Sequence, residues 1–61
     1  MFKLEFATSN AAFTDDAPTE VARILRDLAD RIEGPAGRFY DAPVRDLNGN
    51  RIGRVEFDAE A

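Results

Sequence analysis

Residues 39–58, FYDAPVRDLNGNRIGRVEFD, decide the fold, because two alternating apolar runs flank Asn48-Gly49. Asn-Gly between two such runs is the strongest short-range signal for a β-hairpin. The sequence therefore predicts antiparallel strands over 39–46 and 51–58. Pro43 has no N–H to donate to a ladder, so the first of these strands is predicted to lie at a sheet edge.

Two registers of this hairpin fit the pattern. A two-residue loop at Asn48-Gly49 pairs Asp46 with Arg51. It also places five apolar or aromatic residues on one face: Tyr40, Ala42, Val44, Val55 and Phe57. A three-residue loop with a bulge at Gly49 lets Asp46 open a type I turn, but it sets Arg45 opposite Arg51, a like-charge pair. The two-residue loop is the preferred prediction.

Upstream of the hairpin, the apolar period changes from two residues to about 3.6. One helical stripe is formed by Val21, Ile24, Leu25, Leu28 and Ile32. Pro18 suits the first turn of this helix, and Gly34-Pro35 is predicted to end it, because Gly is able to take a left-handed cap and Pro cannot continue. Asp15, Asp16 and Glu20 lie at the positive end of the helix dipole. On the exposed side, ion pairs are predicted at i,i+4 spacing: Arg23–Asp27, Arg26–Asp30 and Asp27–Arg31.

The first strand is predicted over 2–7, where Phe2, Leu4 and Phe6 alternate with polar or small residues, and 8–16 is predicted as a loop. The fold class is therefore α+β. It is a single β-α-β-β domain over 1–58, with one amphipathic helix packed on a three-stranded, mainly antiparallel sheet. The first strand is expected beside the third. Residues 59–61 are expected to form a short acidic tail.

The composition predicts a small soluble domain that self-associates. Ten of the 27 hydrophobic residues are Ala, so 17 larger apolar side chains remain to build a core. A chain of this length buries only about 60% of its unfolded surface, and a second copy would supply the missing cover. Phe39, Leu47 and Ile52 are left outside the predicted core. They are predicted to lie in the interface of a homo-oligomer.

The residue types present argue against catalysis. The chain has no Cys and no His, which removes thiolate and imidazole chemistry. We predict no enzyme, no catalytic residues, no metal site and no cofactor. Asp15, Asp16 and Glu20 have the oxygen ligands of a hard cation, but helix capping explains them better. The net charge of −4 opposes nucleic-acid binding, and no apolar run approaches a membrane span.

The hairpin is a basic strip on an acidic protein. Residues 38–54 carry four arginines against two aspartates. Because Arg binds phosphate bidentately, an anion site is predicted at Arg38, Arg45, Arg51 and Arg54, with Tyr40 stacking on a ring. Asn10 and Phe13 of the loop join this ligand-binding set. The alternatives are a solvated hairpin with cross-strand ion pairs, and a Phe13 that folds onto the helix start.

Three motifs recur together in this order: Asn10-Ala11-Ala12-Phe13, then EVARILR over 20–26, then DLNGNRIG over 46–53. In this combination the chain resembles a family of short proteins encoded by bacteriophages, prophages and integrative elements. The resemblance carries no catalytic residues. It implies a mobile-element accessory protein in the bacterial host cytoplasm.

Such accessory proteins often act by binding, so the resemblance implies a role in counter-defence. The first hypothesis is a non-enzymatic homo-oligomer that sequesters a phosphorylated or nucleotide-like ligand. The alternative is an acidic protein–protein inhibitor that docks on a host defence protein. Neither hypothesis requires a membrane.

Overall fold

The computed structural model describes residues 1–34 and 37–61. Its elements are β1 (Phe2–Phe6), a 3₁₀ turn (Ala11–Phe13), α1 (Ala17–Glu33), β2 (Phe39–Arg45) and β3 (Arg51–Asp58). The α+β class and the β-α-β-β order are confirmed. The sheet is antiparallel with strand order β1-β3-β2, so the first strand lies beside the third and β2 is an edge strand, both as predicted.

The helix begins and ends close to its predicted bounds. Asp16 caps its N-terminus, because the Asp16 carboxylate accepts hydrogen bonds from the backbone N–H of Thr19 at 3.3 Å and from its hydroxyl at 2.7 Å. The N–H of Gly34 donates to the carbonyl of Asp30 at 3.1 Å and closes the last turn. Gly34 has a φ of −87°, so the left-handed cap predicted there does not form. The predicted stop at Pro35 lies outside the described residues.

The core lies between α1 and one face of the sheet. Its buried members come from four elements: Phe13, Ile24, Leu28, Val44 and Val55. The segment predicted as a loop over 8–16 therefore contributes to the core, because its 3₁₀ turn aims Phe13 inward. Asn10 caps this turn by accepting the N–H of Ala12 at 3.1 Å.

The hairpin ladder follows the preferred register only away from the turn. From Tyr40 to Val44 the cross-strand partners are those of the two-residue loop. The register then shifts by one residue, so that Arg45 faces Arg51 and Ile52 is the extra residue of a β-bulge. Because of the bulge, β3 keeps the register that places the apolar residues on the core face and still joins β2 through the three-residue turn.

The turn itself is the three-residue alternative, and the two-residue loop is wrong here. The N–H of Gly49 donates to the carbonyl of Asp46 at 3.0 Å, and the N–H of Asp46 donates to the carbonyl of Asn50 at 2.9 Å. Gly49 has a φ of 84°, the left-handed conformation that glycine adopts without strain. Asp46 therefore faces Asn50, and the predicted Asp46–Arg51 pair is replaced by the Arg45–Arg51 pair.

Residues 59–61 are tied down rather than forming a free tail. The N–H of Ala59 donates to the carbonyl of Arg38 at 3.0 Å, and the Arg38 guanidinium binds the Glu60 carboxylate at 2.8 Å. The Met1 ammonium donates to the carbonyl of Asp58 at 2.7 Å. These contacts hold the two ends of the chain together beside β3.

Candidate functional site

Asp46 organises the turn end of the hairpin from a buried position. Its Oδ1 accepts the backbone N–H groups of Asn48 and Asn50, each at 2.9 Å. Its Oδ2 accepts the side-chain amide of Asn10 at 2.6 Å. One carboxylate thus closes the turn and joins it to the 3₁₀ segment.

Glu20 joins the helix to the same turn and is also buried. Its Oε2 accepts the backbone N–H of Leu47 at 2.8 Å. Arg23 donates Nε and Nη2 to the two Glu20 oxygens at 2.6 and 3.0 Å, a bidentate charge-assisted pair. Glu20 was predicted as a helix-dipole residue, so its role as an anchor of the turn is a new finding.

The three sequence motifs meet in this network. Asn10, Glu20 and Asp46 each come from a different motif, and together they fix the hairpin turn against the helix and the 3₁₀ turn. In the described part of the chain, every buried side-chain nitrogen and oxygen has a hydrogen-bond partner. The network therefore leaves none of these buried atoms without a partner, and it supports the surrounding surface.

Acid is expected to weaken this network. Burial raises the pKa of Asp46, but hydrogen bonds from Asn50, Asn48 and Asn10 outweigh it, so the net shift is downward. The hydrogen bond from Arg23, opposed by burial, lowers the pKa of Glu20. Because both pKa values are lower in the folded chain, these two carboxylates bind protons more tightly in the unfolded chain. Their contribution to the free energy of unfolding is therefore complete above the unfolded pKa values of about 4, and it is lost as the pH falls through the folded pKa values. Urea midpoints are expected to change little down to about pH 5 and steeply below it, and a flat acid limb would contradict this.

A groove of about 400 Å³ runs between α1 and the outer edge of β2. This volume is at the small end of the range for ligand pockets. The charged and aromatic residues that line it come from both elements and from the turn that follows β2: Arg23, Asp27, Arg31, Tyr40, Arg45 and Asp46. Leu28 and Val44 line its apolar base. The groove is the candidate ligand site.

The groove arginines keep hydrogen-bond donors for a ligand. Arg45 donates to the backbone carbonyl of Gly49 at 3.1 Å. Arg31 uses its Nε on Asp27 at 2.9 Å, and Arg23 uses two of its nitrogens on Glu20. A guanidinium has five N–H donors, so each of the three retains some. The side chain of Tyr40, followed by that of Asp27, raises the pKa of Arg31.

The structure divides the predicted arginine set among three places. Only Arg45 lies in the groove, beside Tyr40. Arg51 and Arg54 lie on the sheet face away from the helix, where Arg54 binds Asp41 at 2.7 Å. Arg38 lies at the far end of β2, paired with the C-terminal segment. The predicted strip is therefore not one continuous binding surface.

The two predicted loop residues have internal partners. Phe13 is only 5% exposed, and its ring stacks with that of Phe6 at a centroid distance of 6.4 Å, so it presents no face to a ligand. Asn10 is committed to Asp46 and Ala12. Of the predicted interface residues, Phe39 and Leu47 are 62% and 68% exposed, whereas Ile52 is half-buried against the core.

The helix arginines were predicted to lie in solvent. Of the three predicted helical ion pairs only Asp27–Arg31 forms within 4 Å in the described chain, and Arg23 turns to Glu20. A usable signal was present, because Glu20, Arg23, Asp27 and Arg31 form one polar stripe beside the apolar one. Such a stripe at the border of a buried face tends to line a groove.

Within residues 1–34 and 37–61, no three acidic side chains gather in a way that could hold a metal ion. In the same ranges, no helix combines the length and apolar character that a bilayer crossing requires.

The chain matches no family model, no curated protein and no solved structure.

Proposed function

We propose that this chain is a non-enzymatic binding protein whose α1–β2 groove receives a phosphorylated or nucleotide-like ligand. One observation carries the proposal. Arg23 and Arg31 from the helix and Arg45 from the strand line one groove, together with Tyr40. Clustered guanidinium groups recognise phosphate oxygens through paired hydrogen bonds, and an aromatic ring beside them stacks on a base.

The buried network prepares this groove for binding. The Glu20 carboxylate accepts two hydrogen bonds from the Arg23 guanidinium and one from the backbone N–H of Leu47, at the end of the groove. Asp46 holds the turn from which Gly49 accepts the Arg45 bond. Side chains that are ordered before binding lose less entropy when the ligand arrives, which favours affinity.

The resemblance to mobile-element proteins supports a cellular setting for this binding. We infer a role in counter-defence, in which the protein sequesters a nucleotide signal in the host cytoplasm. Cyclic dinucleotides and ADP-ribose derivatives have the required chemistry, since each combines phosphate groups with a base. These two ligand classes are therefore the first to test.

Removing groove arginines is expected to weaken ligand binding. Isothermal titration with cyclic dinucleotides and ADP-ribose derivatives should give a dissociation constant that rises about tenfold or more for Arg31→Ala and for Arg45→Ala, since each removes a charge-assisted bond. Arg26→Ala is the matched control, because it removes an exposed helix arginine outside the groove lining. Equal losses in all three variants, or no binding by the wild-type chain, would contradict the proposal.

A second candidate is an acidic protein–protein inhibitor. It is favoured by exposed carboxylates on and before the helix: Asp15, Asp30 and Glu33 have no basic group within 4 Å in the described chain. If the chain is such an inhibitor, affinity capture should retain a basic host protein in a salt-sensitive way. The capture should be lost in the double variant Asp15→Asn/Asp30→Asn and kept in Arg45→Ala. The opposite pattern would favour the groove.

A further inference from the structure

The outer edge of β1 is unpaired in the described chain. Met1 and Asp58 exchange backbone hydrogen bonds at 2.7 and 3.0 Å, and the N–H of Ala7 donates to the carbonyl of Ile52 at 3.0 Å. Odd-numbered residues of this strand therefore point their backbone groups toward β3. In an antiparallel ladder the direction alternates, so Phe2, Leu4 and Phe6 point theirs outward.

The other edge of the sheet is protected. The N–H of Ala59 donates to the carbonyl of Arg38, so the even-numbered residues of β2 face β3 and Pro43 faces outward. A proline there has no N–H to donate, which blocks pairing with another strand. The chain thus has one blocked edge and one open edge, and β1 is the open one.

We propose that β1 pairs antiparallel with β1 of a second copy of this chain, about a two-fold axis at Leu4. The two sheets then form one six-stranded sheet. In this register Phe2 faces the second copy's Phe6, and Lys3 faces its Glu5. The three residues with outward backbone groups, Phe2, Leu4 and Phe6, form the hydrogen-bonded pairs, as this arrangement requires.

The charges select this register over its neighbours. A shift of two residues in one direction sets Lys3 against the second copy's Lys3, and a shift in the other direction sets Glu5 against Glu5. A shift of one residue puts inward-facing and outward-facing side chains opposite one another. Only the pairing centred on Leu4 matches both the charges and the faces of the strand.

The apolar side chains of β1 also gain cover in this pairing. Phe2 is 52% exposed, and within its own chain it has the ring of Phe57 at 6.1 Å. Pairing brings the second copy's Phe6 beside it on the helix side of the sheet. The sequence predicted a homo-oligomer through Phe39, Leu47 and Ile52, whereas the structure favours a different edge. This interface lies across the sheet from the groove, so either proposal can fail without the other.

Charge reversal at Lys3 and Glu5 tests the interface. In sedimentation equilibrium the wild-type chain is expected at twice the 6.8 kDa of one chain. Lys3→Glu and Glu5→Lys should each be monomeric, because each variant edge carries only one sign of charge. An equimolar mixture of the two variants should return to the dimer mass, because the two edges are then complementary. Far-UV circular dichroism checks that both variants are folded.

The mixing step separates this interface from other causes of dissociation. Each substitution also creates a like-charge pair with β3 of its own chain. Lys3→Glu faces Glu56, and Glu5→Lys faces Arg54. That penalty persists in the mixture, so recovery of the dimer cannot come from relieving it. A monomeric wild-type chain, single variants that remain dimeric, or a mixture that remains monomeric would each overturn the proposal.

Discussion

Gly53→Ala is expected to cost about 3 kcal/mol or more of unfolding free energy, which is most of what a domain of this size has. A Cβ on Gly53 meets the carbonyl oxygen of Glu5 at 1.9 Å and the Cα of Phe6 at 2.5 Å. Both atoms belong to the backbone of β1, so no side-chain rotation relieves the contact. The added methyl group must push β1 away from β3.

Urea unfolding followed by circular dichroism measures this cost. Gly49→Ala is the control, because that site has open space around the new Cβ but a φ of 84°. It should cost only the conformational strain, about 1 kcal/mol. If Gly53→Ala is no more destabilising than Gly49→Ala, the close approach of β1 at Gly53 is contradicted.

The strands and the helix were predictable because their signals are local. Alternation over Phe2–Phe6 and the stripe from Val21 to Ile32 each lie within one element, and the apolar period alone distinguishes strand from helix. The local signals at the turn conflicted. Asp46 suits the first position of a type I turn and its carboxylate accepts the N–H groups of Asn48 and Asn50, but that turn sets Arg45 opposite Arg51. The contact between Asp46 and Asn10, which lies 36 residues earlier in the chain, could not be predicted from a local pattern.

The bulge shows why a choice between two registers failed. Pairing from Tyr40 to Val44 keeps the apolar residues facing the core, and the three-residue turn satisfies the carboxylate of Asp46. The extra residue, Ile52, allows both, and it also packs against the core. A choice between two uniform registers could not predict a hairpin that has one register along the strands and the other next to the turn.

The groove draws on residues that were predicted and on residues that were missed. Tyr40 and Arg45 belonged to the predicted ligand set, whereas Arg23 and Arg31 were assigned to solvent although their polar stripe borders the apolar one. The predicted basic strip was overestimated for a simpler reason. Its charge balance stopped at residue 54, while Arg38 pairs with Glu60 and Arg54 also pairs with Glu56, beyond that boundary.

Asn10→Asp and Asp46→Asn are each expected to lower the melting temperature by on the order of 10 °C. The first change sets two carboxylates against one another, at a contact where Asn10 and Asp46 now lie 2.6 Å apart. The second sets two amide donors against one another, although its remaining oxygen still accepts from Asn48 and Asn50. Thermal unfolding followed by circular dichroism measures both effects.

The double variant Asn10→Asp/Asp46→Asn is expected to recover most of the lost stability, because it rebuilds the contact between residues 10 and 46 with donor and acceptor exchanged. It does not restore the 3.3 Å bond from the Asn50 side-chain amide to Oδ2 of Asp46. The new carboxylate can still accept the N–H of Ala12, so the cap of the 3₁₀ turn survives. Net charge is the same as in the wild-type chain, which removes long-range electrostatics as an explanation. A double variant whose loss equals the sum of the single losses would show that the two residues act independently, and that the hydrogen bond between them does not hold the hairpin in place.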